Sequence, residues 1–233
     1  MDETSGKPGA SVLLVVALST LSCLVLVLVR YGLTGRFSQS YLIWNLVLAT
    51  VPVLIARYGT MLTSRQTTAK RSRIFAVGSF VVWLVFYPNA PYVFTDFIHV
   101  VRRANLGAVA LPWLSQADLL WYDIVMNAAF AFVCHYIGLV SMYIMHGAMR
   151  TMFGRVAGWS MMVPAILLSG FGIHIGRFSR FDSWDLVMQP VQTVRVISQS
   201  LADPAALLFS TAFAFFIALT YIIFYIVKKA DLG

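Results

Sequence analysis

Phe86-Tyr87-Pro88-Asn89-Ala90-Pro91-Tyr92-Val93-Phe94-Thr95-Asp96-Phe97-Ile98-His99-Val100-Val101-Arg102-Arg103 closes a long apolar run with an acid, a histidine and two arginines. From Ile74 to Thr95 there is no Asp, Glu, Lys, Arg or His, so the run reads as a membrane span. Ionisable groups at the rim of a span are costly and serve a site or an interface. Asp96, His99 and Arg103 recur at i, i+3 and i+7, one face of a helix. Just before them, Pro88 and Pro91 remove two backbone donors and disfavour helix at Tyr87 and Ala90. The third span is therefore expected to kink or break at Pro88–Pro91, with freed carbonyls buried in protein or lining a polar cavity.

The rest of the chain fits the same class. It is 60% hydrophobic and 11% charged, with a mean hydropathy of +0.81. Such values belong to an integral membrane protein. No polar stretch is long enough for a second core, which makes residues 1–233 a single transmembrane domain. The net charge is +8, but the bases sit in short loops beside apolar spans. Membrane lipids, not nucleic acid, are the partners this implies. Asp2 and Glu3 against Lys7 make a poor signal peptide, so the first apolar run is expected to remain as a helix. Cys23 and Cys134 fall inside spans and read as packing residues.

Hydropathy places spans at about 11–29, 41–56, 74–101, 117–145, 156–175 and 205–227, an all-α polytopic fold with six transmembrane helices. Val191, Val194, Ile197 and Leu201 follow helical spacing and predict a short interfacial helix before the last span. Asp203-Pro204 reads as N-cap and first position of that span. From Arg57 to Arg73 inclusive there are five bases and no acid. The positive-inside rule puts this loop and both termini in the cytoplasm of a multi-pass cell-membrane protein. That topology brings the Asp96/His99 end, Asp118/Asp123 and His174/Arg177 to the extracytoplasmic leaflet.

Asp123 and Asn127 share a stripe at i, i+4, while His135 lies deeper and reads as a packing residue. His146, at the cytoplasmic end, is expected to meet headgroups or water. Gly170, His174 and Arg177 share a stripe on the fifth span, with the glycine allowing close helix approach. Asp96, His99, Asp123 and His174 could hold a divalent metal such as zinc, or move protons without one. Arg102, Arg177 and Arg180, with Asn89, would hold an anionic substrate, since guanidinium offers paired donors in a plane. There is no HExxH and no paired Cys motif. Ion pairing of Asp96 and Asp123 with Arg103 and Arg177 explains the same residues without a ligand.

The run Phe86–His99 resembles the signature of the bacterial DUF1361 membrane-protein family. So does Gly176-Arg-Phe-Ser-Arg-Phe-Asp-Ser-Trp-Asp, which is similar to that family's Gly-Arg-Phe…Asn-Ser-Trp-Asp element, and Tyr122-Asp123 fits as well. Asp182 stands where the resemblance implies asparagine. The resemblance covers about 75–230; the first two spans match in hydropathy alone. It implies a fold and no activity. The functional expectation is a membrane-embedded hydrolase or transferase acting on a lipid or lipid-linked substrate at the extracytoplasmic leaflet. A transporter or channel with a polar path near the broken helix, or a non-catalytic subunit of a membrane complex, are the alternatives.

Overall fold

The computed structural model describes residues 10–104 and 114–230. Asp2, Glu3 and Lys7, which carry the signal-peptide reading, lie outside the described residues. Every regular element among the described residues is helical, as lipid demands of an open-ended chain that must satisfy its own backbone. In chain order these are α1 (Ala10–Thr34), α2 (Ser40–Ser64), α3 (Ala69–Phe86), α4 (Asn89–Tyr92), a 3-10 turn (Val93–Asp96), α5 (Phe97–Ala104), α6 (Gln116–Phe153), α7 (Arg155–His174), a π-turn (Ile175–Ser179), α8 (Asp185–Met188), α9 (Pro190–Ala202) and α10 (Pro204–Ala230). Six stretches are long and apolar enough to cross a membrane: Val16–Thr34, Ser40–Ser64, Ala69–Arg102, Gln116–Phe153, Arg155–Ser179 and Pro204–Ala230.

The six spans stand where hydropathy puts them, but the helices overrun their apolar windows. Arg57 lies inside α2, and Lys70, Arg71 and Arg73 lie in the first turns of α3. The predicted basic loop thus shrinks to the connection 65–68, where Thr68 Oγ1 accepts from the Arg71 amide at 3.4 Å and caps α3. Asp203 behaves as expected, its Oδ1 accepting from the Ala205 amide at 2.9 Å ahead of Pro204. α9 forms as the short helix before α10, with Val191, Val194 and Leu201 exposed.

The third span breaks as the prolines predict. α3 stops at Phe86, and the chain resumes as α4, a 3-10 turn and α5 in succession. Ser183 repairs the break: its hydroxyl donates to the Val85 carbonyl at 2.9 Å and accepts from Asn89 Nδ2 at 3.3 Å. A Cβ added to Gly172 would collide with the Pro88 ring, so α7 approaches the break at a glycine. At Gly170 a Cβ would run into the Ser210 carbonyl and the Ala214 amide of α10, the close approach the sequence implied.

The chain groups into two compact units. One comprises the part up to Thr50 with Ala90–Ile137; the other comprises Val51–Asn89 with the part from Gly138 onward. In the first, Cys23, Val27, Leu42, Leu46, Met126 and Phe130 are buried. In the second, Trp83, Tyr87, Met142, Met145, Ile217 and Tyr221 are buried, and Trp83 Nε1 donates to Ser141 Oγ at 2.6 Å. Cys23 and Cys134 are both buried and unbridged.

Candidate functional site

In the first unit, the break in the third span turns Asp96 inward. Its carboxylate is 2% exposed, accepts from Asn45 Nδ2 of α2 at 2.6 Å, and lies 3.8 Å from His99 Nε2. The 3-10 turn followed by α5 thus keeps the i, i+3 pair on one side, as the spacing implied. The His99 side chain is 35% exposed, so a buried acid backs an accessible imidazole. The Tyr41 ring lies 4.7 Å from the His99 ring, and its hydroxyl donates to Asn127 Oδ1 at 3.2 Å. Asn127 Nδ2 in turn donates to the Asp123 carbonyl at 2.7 Å.

Asp123 is 5% exposed, and its carboxylate is held by Arg30 of α1: Nε to Oδ1 at 2.6 Å and Nη2 to Oδ2 at 3.2 Å. The fork places two donors on two oxygens, the geometry in which guanidinium and carboxylate pair best. Arg30 Nη1 also donates to Thr34 Oγ1 at 2.6 Å. The ion pair expected for Asp123 therefore exists with a different base. Arg30 is one residue past the end predicted for the first span, where it read as a flank. The Arg103 side chain, the other expected partner, lies outside the described residues. Arg102, one turn beyond His99, is exposed.

Asp96, His99 and Asp123 are thus joined through Tyr41 and Asn127 into one polar row, with Arg30 and Asn45 as members the sequence reading missed. The signal for Arg30 was available: no Asp or Glu occurs between Thr4 and Thr95, and it is the first base of the apolar helices.

The remaining candidates belong to the second unit. His174 is buried, stacked on Phe178 at 4.8 Å with Phe209 edge-on at 5.6 Å. Its Nδ1 has no hydrogen-bond partner among the described residues. α7 ends there and widens into the π-turn, so α-helical spacing no longer sets Arg177 on the stripe of His174. Arg177 is half-buried. Arg180 is exposed and closes the π-turn at φ 56°, the one non-glycine in the left-handed region among the described residues. Asn89 is committed to Ser183. In the loop that follows, the Asp182 amide donates to Asp185 Oδ2 at 2.8 Å. Partial burial, and then the neighbouring Asp185 carboxylate, push the Asp182 carboxyl above its usual range.

His146 does not meet headgroups or water. It is 1% exposed, hydrogen-bonded through Nδ1 to the Tyr221 hydroxyl at 2.6 Å, with the Trp159 ring edge-on at 4.4 Å. The overrun of α6 past its apolar window carries it under α10. His135 is a buried packing residue beside Phe94, as expected.

Among the described residues no three His, Cys, Asp or Glu side chains are grouped so as to hold a metal ion. Of the expected donors, Asp96, His99 and Asp123 belong to the first unit and His174 to the second, and Asp123 already spends both oxygens on Arg30. What the first unit offers chemically is a carboxylate-backed imidazole and, beside it, a neutralised ion pair.

No curated protein and no solved structure matches the chain. A family model does match, over residues 44–220, described as a protein of unknown function. That range starts inside α2 at Trp44, so it takes in Asn45; it begins earlier than the 75–230 of the resemblance and ends ten residues before it. It also contains both halves of the Asn89–Ser183 junction, so the two motifs that carried the resemblance are in contact through that bond. With three quarters of its length so matched, and with those motifs meeting at the break of the third span, the chain belongs to the DUF1361 family.

Proposed function

We propose that the chain is a membrane-embedded hydrolase or transferase acting on a lipid or lipid-linked substrate. The observation that carries this reading is the buried Asp96 carboxylate behind the accessible His99 imidazole. With the carboxylate on the buried side, the exposed imidazole is left to act as general base. In this reading His99 takes the proton from the attacking hydroxyl, of water in a hydrolase or of an alcohol in a transferase. It then returns the proton to the leaving oxygen. Arg102, one helical turn away and exposed, would hold an anionic headgroup. A metal-dependent form needs donors beyond Asp96 and His99, and Asp123 is engaged by Arg30, so the metal-free proton transfer is the form carried forward. The bases of 57–73 support an orientation with both termini in the cytoplasm and the Asp96–His99 end at the extracytoplasmic leaflet.

A second reading, a proton-coupled transporter, draws on the row of buried polar groups from Asp96 through Asn127 to Arg30. One experiment separates the two. Cells lacking the protein are complemented with the parent, His99→Gln or Asp96→Asn, and their lipids are profiled by mass spectrometry. Enzyme function predicts that His99→Gln reproduces the profile of the null at normal folded yield, since its ring is only partly buried. A His99→Gln profile identical to the parent's would remove the enzyme reading.

A further inference from the structure

In the second unit, α2 and α3 run side by side from the 65–68 connection and leave a groove of about 550 Å³ on their outer face, within the size range of ligand pockets. Its lining is almost wholly apolar, from Leu62 and Ile74 beside the connection to Val51 and Val82 at the far end. Gly59 and Ser79 bring the helices into contact beneath it. A Cβ on Gly78 would meet nothing within 4 Å, so the floor there is open. From Val51 to Leu62 the eleven helical rises measure about 16 Å. That is about half of a 30 Å hydrocarbon core. The groove therefore has the reach of a lipid tail in one leaflet, and is too short for a transmembrane helix of a second copy.

Its mouth is marked by charge. Arg65, Lys70, Arg71 and Arg73 are all exposed around the connection, with no Asp or Glu anywhere between Thr4 and Thr95 to neutralise them. Topology requires bases on a cytoplasmic loop, but does not require an apolar channel leading down from them. Arg71 is one turn before Ile74 and Phe75, and Arg65 follows Leu62 by three, so these two bases continue the lining faces. We infer that this groove is a binding site for one anionic phospholipid, its acyl chain lying between Leu62 and Val51 and its phosphate on Arg65 and Arg71.

The test uses the full-length protein in mild detergent, stripped of lipid and offered equimolar phosphatidylglycerol and phosphatidylcholine with the same chains. Native mass spectrometry reads what is retained, and a melting curve checks that each variant is folded. The parent should hold one phosphatidylglycerol in about tenfold preference, and Arg65→Gln/Arg71→Gln should lower its affinity by roughly 10–30-fold, near fivefold per surface charge. Gly78→Leu, which suits a helix and fills the floor, should lose both lipids. Equal retention of the two lipids by the parent overturns the site, as does undiminished binding by a folded Gly78→Leu. A parent dimer that Gly78→Leu converts to a monomer would make the groove an interface between copies and equally overturn it. Should Gly78→Leu not fold, the arginine variant decides alone, because both side chains are exposed.

Discussion

Arg30 in the first unit and Arg150 in the second are held by opposite means. In the first, Asp123 meets Arg30 through both oxygens, so each charge is cancelled where it sits. In the second, Arg150 has no carboxylate within ion-pair distance among the described residues. Its Nη1 donates to the Tyr225 hydroxyl at 3.0 Å, and its neighbour His146 relies on Tyr221. Further along, the Asp182 and Asp185 carboxylates act on each other as like charges. A paired charge is expensive to break and cheap to remove as a pair, whereas a charge among neutral hydroxyls depends on each single hydrogen bond. Arg30 is thus secured by a counter-charge, and Arg150 by a neutral hydroxyl.

The sharpest way to break that contrast is at the ion pair. Arg30→Met leaves Asp123 buried and alone, and should cost about 3–5 kcal/mol, seen as a collapse of folded yield and melting temperature. Arg30→Met/Asp123→Leu should recover most of that loss, because it removes both charges together. A double variant as unstable as the single one would show that the network around Asn127, and not the charge, is what matters. In the second unit, Tyr221→Phe strands His146 Nδ1 and should cost about 1–3 kcal/mol; no change in melting temperature would mean that the aromatic cage alone holds the ring.

The smallest effect is expected in the acidic loop. The carboxyl of Asp182 titrates higher in the folded protein than in the unfolded chain, so the folded state holds its proton longer. Stability then falls as pH rises from the ordinary carboxylate value through the raised one, and the ionised group opposes folding above both. Asp182→Asn, which restores the residue implied by the resemblance, should raise the melting temperature at neutral pH. The gain should vanish in acid, where the parent carboxyl is protonated. A gain of the same size at both ends of the pH range would trace to something other than charge.

Much of the fold was legible because lipid leaves few choices. Hydropathy located all six spans, and two prolines around Asn89 were enough to locate the break. Helix ends were less legible, since a helix continues past its apolar window for as long as its backbone bonds are met. That overrun hid Arg30 as a flank, turned the basic loop into helix ends and drew His146 under cover. Of the site, the Asp96–His99 neighbourhood followed from local spacing. The partners Arg30, Tyr41 and Asn45 did not, because they lie on helices whose rotation is set by packing. The π-turn at Ile175–Ser179 has no local sequence signal that α-helical spacing could have registered.

The pairing of Arg30 with Asp123 also has a consequence in time. The two residues are 93 positions apart, and Arg30 is made first. At ordinary synthesis rates of roughly 5–20 residues per second, the ribosome needs about 5–20 s to reach its partner. Until then α1 carries an uncompensated cation at the end of its apolar segment, and no acid of the intervening helices up to Thr95 can relieve it. The native pair can close only once α6 has been made, so completion of this buried contact falls at the arrival of the fourth span.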